Sequence, residues 1–432
     1  MKKVCVIGLG YIGLPTAVIA AEHGFDVVGF DKDQTRVARI NACDPVIQEP
    51  EIFEKLQNVL TLGRFRATTD CVAADYFIIA VPTPFKEEHK EKKADLCYVW
   101  SAVESIAAVL KKNDTVILES TVPVGTTNVI ATFLEEKTGL KAGVDFYCAH
   151  CPERVLPGKI VYELTHNPRI IGGINQASLE YTKEFYKKFV TAQLYLTNAT
   201  AAEMIKLVEN SYRDVQIAFA NQVAAMATSI ELDPYEVIEL ANKHPRVNIL
   251  KPRCGVGGHC IAVDPWFLIE TFPQHTELLR AARTINDQKP RTIVKQIANY
   301  KNKKILVLGV TFKPDVDDLR ESPALFIAQE LIKNSNNTIK VCEPHSTPEI
   351  LAQHTIPESI SFFDGLLWAD IVICLVDHTV FKLQRDMLLE HAQVLDFCGL
   401  LHQERSTIGA QEQLFWPAQQ SSMANMLENL YE

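Results

Sequence analysis

The chain has 432 residues and a formal net charge of −10. At about 150 residues per domain it holds roughly three domains, and its acidity argues against a nucleic-acid binder. No run comes near the roughly 18 uninterrupted apolar residues of a membrane span, so none is expected.

The start, MKKVCVIGLGYIGL, is basic and then apolar. Gly8, Gly10, Gly13 and Pro15 break the apolar run, so it reads as the beginning of a domain and not as a leader. Eleven cysteines in a long chain without a leader point to reduced thiols in a cytoplasm.

Lys3 to Leu9 reads as a buried parallel strand. Gly8, Gly10 and Gly13 then form a G-x-G-x-x-G turn into a helical pattern that lasts to about Glu22. A second strand, Asp26 to Phe30, ends at Asp31, which lies 23 residues beyond Gly8. Strand, glycine turn, helix, strand and acid in this order form a dinucleotide site. Gly8 permits the tight turn, Gly10 lets the backbone approach a pyrophosphate, and Gly13 lets helix and strand pack closely. The helix N-terminus offers N–H groups to the phosphates. Asp31 suits ribose hydroxyls and repels a 2′-phosphate, which favours NAD over NADP. Lys32 and Arg36 soften that preference, and Arg36 is counted with the cofactor contacts.

The alternation of strand and helix continues with Tyr76 to Val81, followed by Pro82-Thr83-Pro84 at the ligand-binding edge of such a sheet. Lys86 to Lys93 reads as a solvated charged loop. Thr115 to Thr121 is a further strand, and Thr121 is either a ligand hydroxyl or a helix cap. Phe146 to Cys151 precedes Pro152-Glu153-Arg154-Val155, which puts Glu153 beyond a strand's carboxyl end. Cys148, His150 and Cys151 match no standard zinc spacing with Cys254, His259 and Cys260, so no metal is expected.

Ala199 to Asp233 lacks glycine and proline and reads as one helix about 50 Å long. Glu203, Lys206, Asn210 and Arg213 share a face that continues as Ile217, Ala220 and Ala224. A polar stripe that turns apolar suggests a buried helix whose polar end lines a cavity, where Lys206 serves as an acid/base. Such a helix between two α/β domains also suggests a subunit interface. His244 and Arg246 follow it. Then comes KPRCGVGGHCIAVDPW, with Gly255, Gly257 and Gly258 before Cys260 and with Asp264 after it. A cysteine on such a loop is either a nucleophile or the buried end of a tight turn. Lys303 to Val310 opens a second set of strands, with Thr338 to Val341, Asp370 to Val376 and Val394 to Phe397. No G-x-G-x-x-G follows Gly309, so a second dinucleotide is not expected there. Phe312, Lys313 and Arg320 lie at its carboxyl edge, where two cations suit a diphosphate.

The N-terminal fingerprint, EMIKLVEN, GVGGHCIAVDP and TFKPDVDDLRESP together resemble the nucleotide-sugar dehydrogenases, from residue 1 to about 400. AVPTPFK, CPERVLPG, HPRVNIL and GHCIAVDPWF are similar to the branch that acts on UDP-N-acetylmannosamine. The UDP-N-acetylglucosamine and UDP-glucose enzymes stand as alternatives, with the two-electron 6-phosphogluconate type further off.

The resemblance implies an α/β fold of two Rossmann-like doubly wound domains joined by a long central helix. Its expected parts are an NAD-binding domain over 1–198, a central dimerisation domain over 199–300, a UDP-binding domain over 301–410 and a polar tail over 411–432. It implies oxidation of a sugar C6 alcohol to a carboxylate by two NAD⁺, for surface polysaccharide precursors, in a homodimer. Cys260 corresponds to the nucleophile, Lys206 and Asn210 to the acid/base and oxyanion donors, and Asp264, Thr121 and Glu153 to the groups that place water and hydrolyse a thioester. Tyr11, Ile12, Asp31, Thr83, Thr121 and Arg320 correspond to NAD contacts. Arg154, Val155, Lys206, Asn210, Arg213, His244, Arg246, Gly257, Phe312 and Lys313 correspond to substrate contacts, with Arg246 reaching the neighbouring subunit's site. The chain departs from the pattern at Arg253-Cys254, where Gly-Pro is usual, and at Cys398, where a substrate-binding Lys or Arg is usual.

Overall fold

The computed structural model of the chain describes residues 1–402 apart from 45, 48, 50, 87–91, 157, 259, 335 and 357–358. The tail expected from Gln411 onward, His259 of the glycine loop and most of the charged loop after Lys86 lie outside the described residues. The chain divides into two units, the first made of Met1–Ser211 with Val263–Thr276, the second of Tyr212–Ala262 with Glu277 onward.

The first unit is built on an eight-stranded sheet. In spatial order its strands are Leu194–Asn198, Arg169–Gly173, Tyr147–His150, Thr115–Leu118, Tyr76–Ile79, Lys3–Ile7, Asp26–Phe30 and Phe65–Thr68. All neighbours run parallel except Tyr147–His150 and Arg169–Gly173, which are antiparallel. The strands read as continuous apolar runs because both faces are covered. Val4, Val6 and Ile78 enter one core, while Cys5, Ile7, Phe77 and Ile79 enter the other. This alternation separates Cys148 from Cys151, which belong to opposite cores.

The second unit carries a parallel four-stranded sheet in the order Thr338–Cys342, Lys304–Leu308, Ile371–Cys374 and Val394–Asp396. It too has two covered faces, with Ile305 and Val307 on one side and Leu306 and Leu308 on the other. Each sheet reverses its strand order beside its first strand, and the crevice at that reversal is where open α/β sheets bind ligands.

Several elements differ from expectation. The strands Phe65–Thr68, Arg169–Gly173 and Leu194–Asn198 carry little apolar signal; the last is a mostly exposed edge. The long helix is Ala199–Ser229 and stops short of the expected Asp233. Glu231 turns left-handed at φ +61°, and Asp233 instead caps the next helix, Pro234–Ala241, by accepting from Tyr235 N at 2.9 Å. A residue preceding proline is disfavoured in helix, and aspartate is a preferred cap. Among the described residues no helix is long and apolar enough to cross a membrane.

Within the second unit the long helix is fixed by a buried polar network. Arg283, on helix Glu277–Ile297, donates to Asp214 at 2.7 Å, and Asn286 donates to the same carboxylate at 2.8 Å. Asn221 donates to Asn286 at 3.0 Å and accepts from the backbone N of Arg253 at 3.0 Å. Asp214 and Arg283 are almost wholly enclosed. Breaking one side of such a pair leaves an unpaired buried charge, which costs about 3–5 kcal/mol. Arg283→Met is therefore expected to shift the urea unfolding transition of the second unit by a stability loss of that size. A loss under about 1 kcal/mol would contradict the network's role.

Candidate active site

In the first unit the glycine turn has the geometry a dinucleotide needs. Gly8 has φ +90°, and a Cβ there would sit 2.7 Å from the Ala80 carbonyl oxygen. A Cβ on Gly13 would lie 1.8 Å from the Gly8 carbonyl oxygen, so helix Gly13–Glu22 closes onto the strand only with glycine. Gly10 instead faces open space, with no atom within 4 Å of an added Cβ. Tyr11 is exposed beside it, and Ile12 occupies the N-cap without a side-chain bond, leaving the helix N-terminus available to an anion. Asp31 ends the neighbouring strand and accepts from Leu9 N at 2.9 Å and Asp33 N at 3.0 Å. Arg36 donates to the same carboxylate at 3.0 Å, so its charge serves Asp31. Thr83 is half-buried in the loop beyond Tyr76–Ile79.

Thr121 is half-buried beyond Thr115–Leu118. It is not a helix cap, because the helix that follows is Thr126–Thr138 and has Gly125 at its N-cap. Glu203 caps that helix: it accepts from Gly125 N at 2.5 Å, Thr127 N at 2.7 Å and the Thr127 hydroxyl at 2.6 Å. The polar stripe of the long helix is thus divided in use, and Glu203 is structural.

Lys206 is buried one turn further on. Asn210 donates to Asp264 Oδ2 at 2.5 Å. Asp264 is buried at the start of helix Asp264–Thr271. Burial pushes its carboxyl up to about 6, against the pull of the Lys206 charge and the Asn210 hydrogen bond. His150 is enclosed as well; burial lowers it to about 3, and Lys206 pushes in the same direction. The cluster therefore holds a cation, an amide donor, a poised carboxylate and a neutral imidazole.

Glu153 accepts from Arg154 N at 2.7 Å and is ion-paired with Arg169. Arg169 also reaches Glu119 at 3.3 Å, and Glu119 accepts from the Tyr186 hydroxyl at 2.7 Å. Two acids share one buried guanidinium. Burial raises the Glu119 carboxyl, with Glu153 adding to the shift and Arg169 opposing it. Neither Glu119 nor Arg169 had a local sequence signal: Glu119 directly follows the strand Thr115–Leu118, Arg169 opens the strand Arg169–Gly173, and their pairing spans 50 residues.

Arg154 pairs with Glu209 at 2.8 Å and borders a cavity of about 640 Å³ shared with Tyr195 and Ile205. The Val155 side chain packs against the first core, leaving its backbone for any ligand contact.

In the second unit Cys260 is exposed on the glycine loop. The loop's glycines are imposed by their neighbours. A Cβ on Gly255 would meet Pro323 at 2.7 Å, one on Gly257 the Glu321 carbonyl oxygen at 2.5 Å, and one on Gly258 the Phe312 ring at 2.9 Å. The loop and Phe312 are therefore in direct contact. Lys313 lies with its ammonium 5.6 Å from the Phe312 ring centroid. Arg320 is held by a bidentate contact with Asp318, at 2.8 and 2.6 Å. Its charge is partly neutralised by that pairing. Arg213, His244 and Arg246 are exposed.

The departures from the family pattern have structural reasons. Arg253 pairs with Asp377 at 3.2 Å, and Lys382 takes the other oxygen at 2.8 Å. Cys254 is buried in the core, its Sγ 3.5 Å from the Leu375 carbonyl oxygen. Cys398 is also buried, its Sγ 3.5 Å from Asp396 Oδ1.

Three family models match the chain: the NAD binding domain over 2–190, the central domain over 200–288 and the UDP binding domain over 306–403, all of the UDP-glucose/GDP-mannose dehydrogenase family. The chain belongs to this family. The resemblance drawn from the motifs holds, and the cofactor is NAD, for which the Gly8–Asp31 edge is suitably shaped. A Campylobacter jejuni UDP-N-acetyl-D-mannosamine dehydrogenase is 46% identical over 92% of this chain and 99% of its own length. A Ralstonia solanacearum NDP-N-acetyl-D-galactosaminuronic acid dehydrogenase is 42% identical, over 94% of this chain and 97% of its own. The structure of UDP-D-ManNAc dehydrogenase from Pyrococcus horikoshii is similar with a TM-score of 0.83 and 38% identity, covering 94% of this chain and 97% of that one.

The Asp264 carboxyl lies above its ordinary value of 3.8 when folded, so its ionisation opposes folding. Its stabilising contribution is complete below that value and is lost as the pH rises through about 6. Asp264→Asn is expected to gain about 1–3 kcal/mol over the parent at pH 7.5, read as a higher thermal midpoint. The gain should disappear near pH 4; a gain independent of pH would contradict the assignment.

Proposed function

We propose that this dehydrogenase oxidises the C6 hydroxyl of UDP-N-acetylmannosamine to the carboxylate through an acyl-enzyme on Cys260. The balance is R–CH2OH + 2 NAD⁺ + H2O → R–COO⁻ + 2 NADH + 3 H⁺. The observation that carries this reading is the buried Lys206–Asn210–Asp264 cluster, with Cys260 four residues before Asp264. That separation holds the two α-carbons within about 14 Å at 3.3–3.6 Å per residue, whatever the loop conformation. The relatives named UDP-N-acetyl-D-mannosamine dehydrogenase support the substrate.

NAD, when bound, accepts a hydride in each of the two oxidations. Lys206, in its neutral amine form, takes the hydroxyl proton in the first and becomes the ammonium. The Cys260 thiolate then adds to the aldehyde, forming a C–S bond, and Lys206 and Asn210 donate to the oxygen that becomes negative. The second oxidation leaves a thioester. Asp264, poised near neutral pH, accepts a proton from the water that attacks it, and the C–S bond breaks to release the thiolate and the acid. Glu153, paired with Arg169, and Thr121 are the further groups assigned to placing that water.

Two NADH per sugar is the expected yield; one would point to a two-electron dehydrogenase. Cys260→Ala is expected to abolish acid formation with NADH affinity kept, and unchanged turnover would exclude the thioester route. UDP-N-acetylmannosamine should exceed UDP-N-acetylglucosamine, UDP-glucose and UDP-N-acetylgalactosamine in kcat/KM. The Ralstonia relative gives the galactosamine sugar its place in the panel.

A homodimer completes the reading. Met204, Val208, Tyr212, Phe219 and Met226 form an exposed apolar stripe at helical spacing along Ala199–Ser229. A second copy of the same stripe is a self-complementary cover for it. Tyr212→Glu with Phe219→Glu is expected to halve the mass seen by light scattering; an unchanged mass would contradict this interface.

A further inference from the structure

The second unit repeats the nucleotide edge of the first bond for bond. In the first, Gly8 has φ +90° and its N donates to Phe30 O at 2.8 Å. Leu9 N and Asp33 N donate to the two Asp31 oxygens at 2.9 and 3.0 Å. In the second, Gly309 has φ +82° and its N donates to Cys342 O at 3.0 Å. Val310 N and His345 N donate to the two Glu343 oxygens at 2.7 and 2.9 Å. The strand on the other side corresponds as well: Ala80 N bonds Ile7 O at 2.9 Å, and Leu375 N bonds Leu308 O at 3.0 Å.

In the first unit, the crevice beside the acid takes the adenosine half of the cofactor. The corresponding place in the second unit is a cavity of about 680 Å³. Glu343, Ile360, Phe362, Val380, Phe381 and Gln384 border it. Its volume falls within the range of about 300–1,000 Å³ typical of small-molecule sites. Phe362 and Phe381 line it as a stacked pair, 5.9 Å apart with their planes 27° from parallel, and give it an apolar, aromatic side. Gln384 Oε1 has no hydrogen-bond partner, so a small rotation of the amide presents an acceptor to a base's amino group.

The features that hold a dinucleotide are missing from this edge. Thr311-Phe312-Lys313-Pro314 follows where the first unit has an open glycine turn, and the next helix starts only at Pro323. Glu343 is closed off by Thr311 N at 3.3 Å and His378 at 3.2 Å. His378 accepts in turn from Asp315 N at 3.0 Å, and the Asp315 carboxylate accepts from Thr379 N at 2.9 Å. Removing the diphosphate and ribose contacts leaves the pocket for the base.

We infer that this cavity is a second nucleoside site, specific for an adenine nucleoside and separate from the NAD and sugar-nucleotide sites. The test uses the full-length protein saturated with NADH, which fills the first unit's site, and titrates it with radiolabelled adenosine by equilibrium dialysis. One adenosine per chain is the expected result. Val380→Trp, at the cavity's exposed rim, is expected to weaken adenosine at least tenfold with NADH affinity unchanged. Gln384→Met should weaken adenosine by a similar factor, and inosine, lacking the amino group, should bind at least tenfold more weakly than adenosine. No adenosine bound at millimolar concentration, or undiminished binding in both variants, would overturn the site. Equal binding of inosine would overturn its specificity for adenine.

Discussion

The buried contact between Asp214 and Arg283 is the constraint on which the geometry of the second unit turns. A carboxylate and a guanidinium taken out of water each lose several kcal/mol of hydration, and only close pairing with further hydrogen bonds makes up the loss. Here Asn286 fills a further acceptor position of the carboxylate, and Asn221 links Asn286 to the backbone of Arg253. A hydrophobic contact between the helices tolerates sliding, whereas this chain of bonds is satisfied in one register. Because it ends on the segment leading into the glycine loop, the long helix sets the starting point of the Cys260 loop.

The same chemistry takes different roles in the first unit according to how charge is balanced. Glu119 and Glu153 share Arg169, so one cation serves two acids and burial makes Glu119 hold its proton more tightly. Asp31 is kept as an acceptor by two backbone amides and Arg36. Asp264 has a single amide donor and the charge of Lys206, too little to offset its burial, and is left titrating near neutrality. Of these four acids, the one with the least support is the one suited to moving a proton.

The sequence made legible what depends on near neighbours. The Gly8, Gly10 and Gly13 turn, its flanking strands and Asp31 fall within 29 residues, and the turn's steric demands are visible in the residue types. Lys206, Asn210 and Asp264 were found through motifs, and the structure unites them. What stayed hidden depends on distant partners. Glu203 looked like a member of the Lys206 stripe because its true role, capping Thr126–Thr138, involves residues 76 to 78 positions away. Asp214, one residue past the expected Arg213, carries the buried pairing, and helical spacing alone does not separate a buried acid from an exposed arginine. The edge strand Leu194–Asn198 was missed because its exposed residues lack an apolar run.

The glycine loop shows how a departure from a motif is absorbed. Gly255, Gly257 and Gly258 are fixed by contacts with Pro323, Glu321 and Phe312, so this part admits no side chain. Arg253 and Cys254 stand just before it, where the constraints are different in kind. The Arg253 backbone is held by Asn221 and its side chain by Asp377, while Cys254 has only to fill a core position. A charged and a small apolar residue meet those demands as well as Gly-Pro does. The substitutions therefore fall where the fold asks for a hydrogen bond and a volume, and the residues that follow, where it asks for the absence of a Cβ, remain glycine.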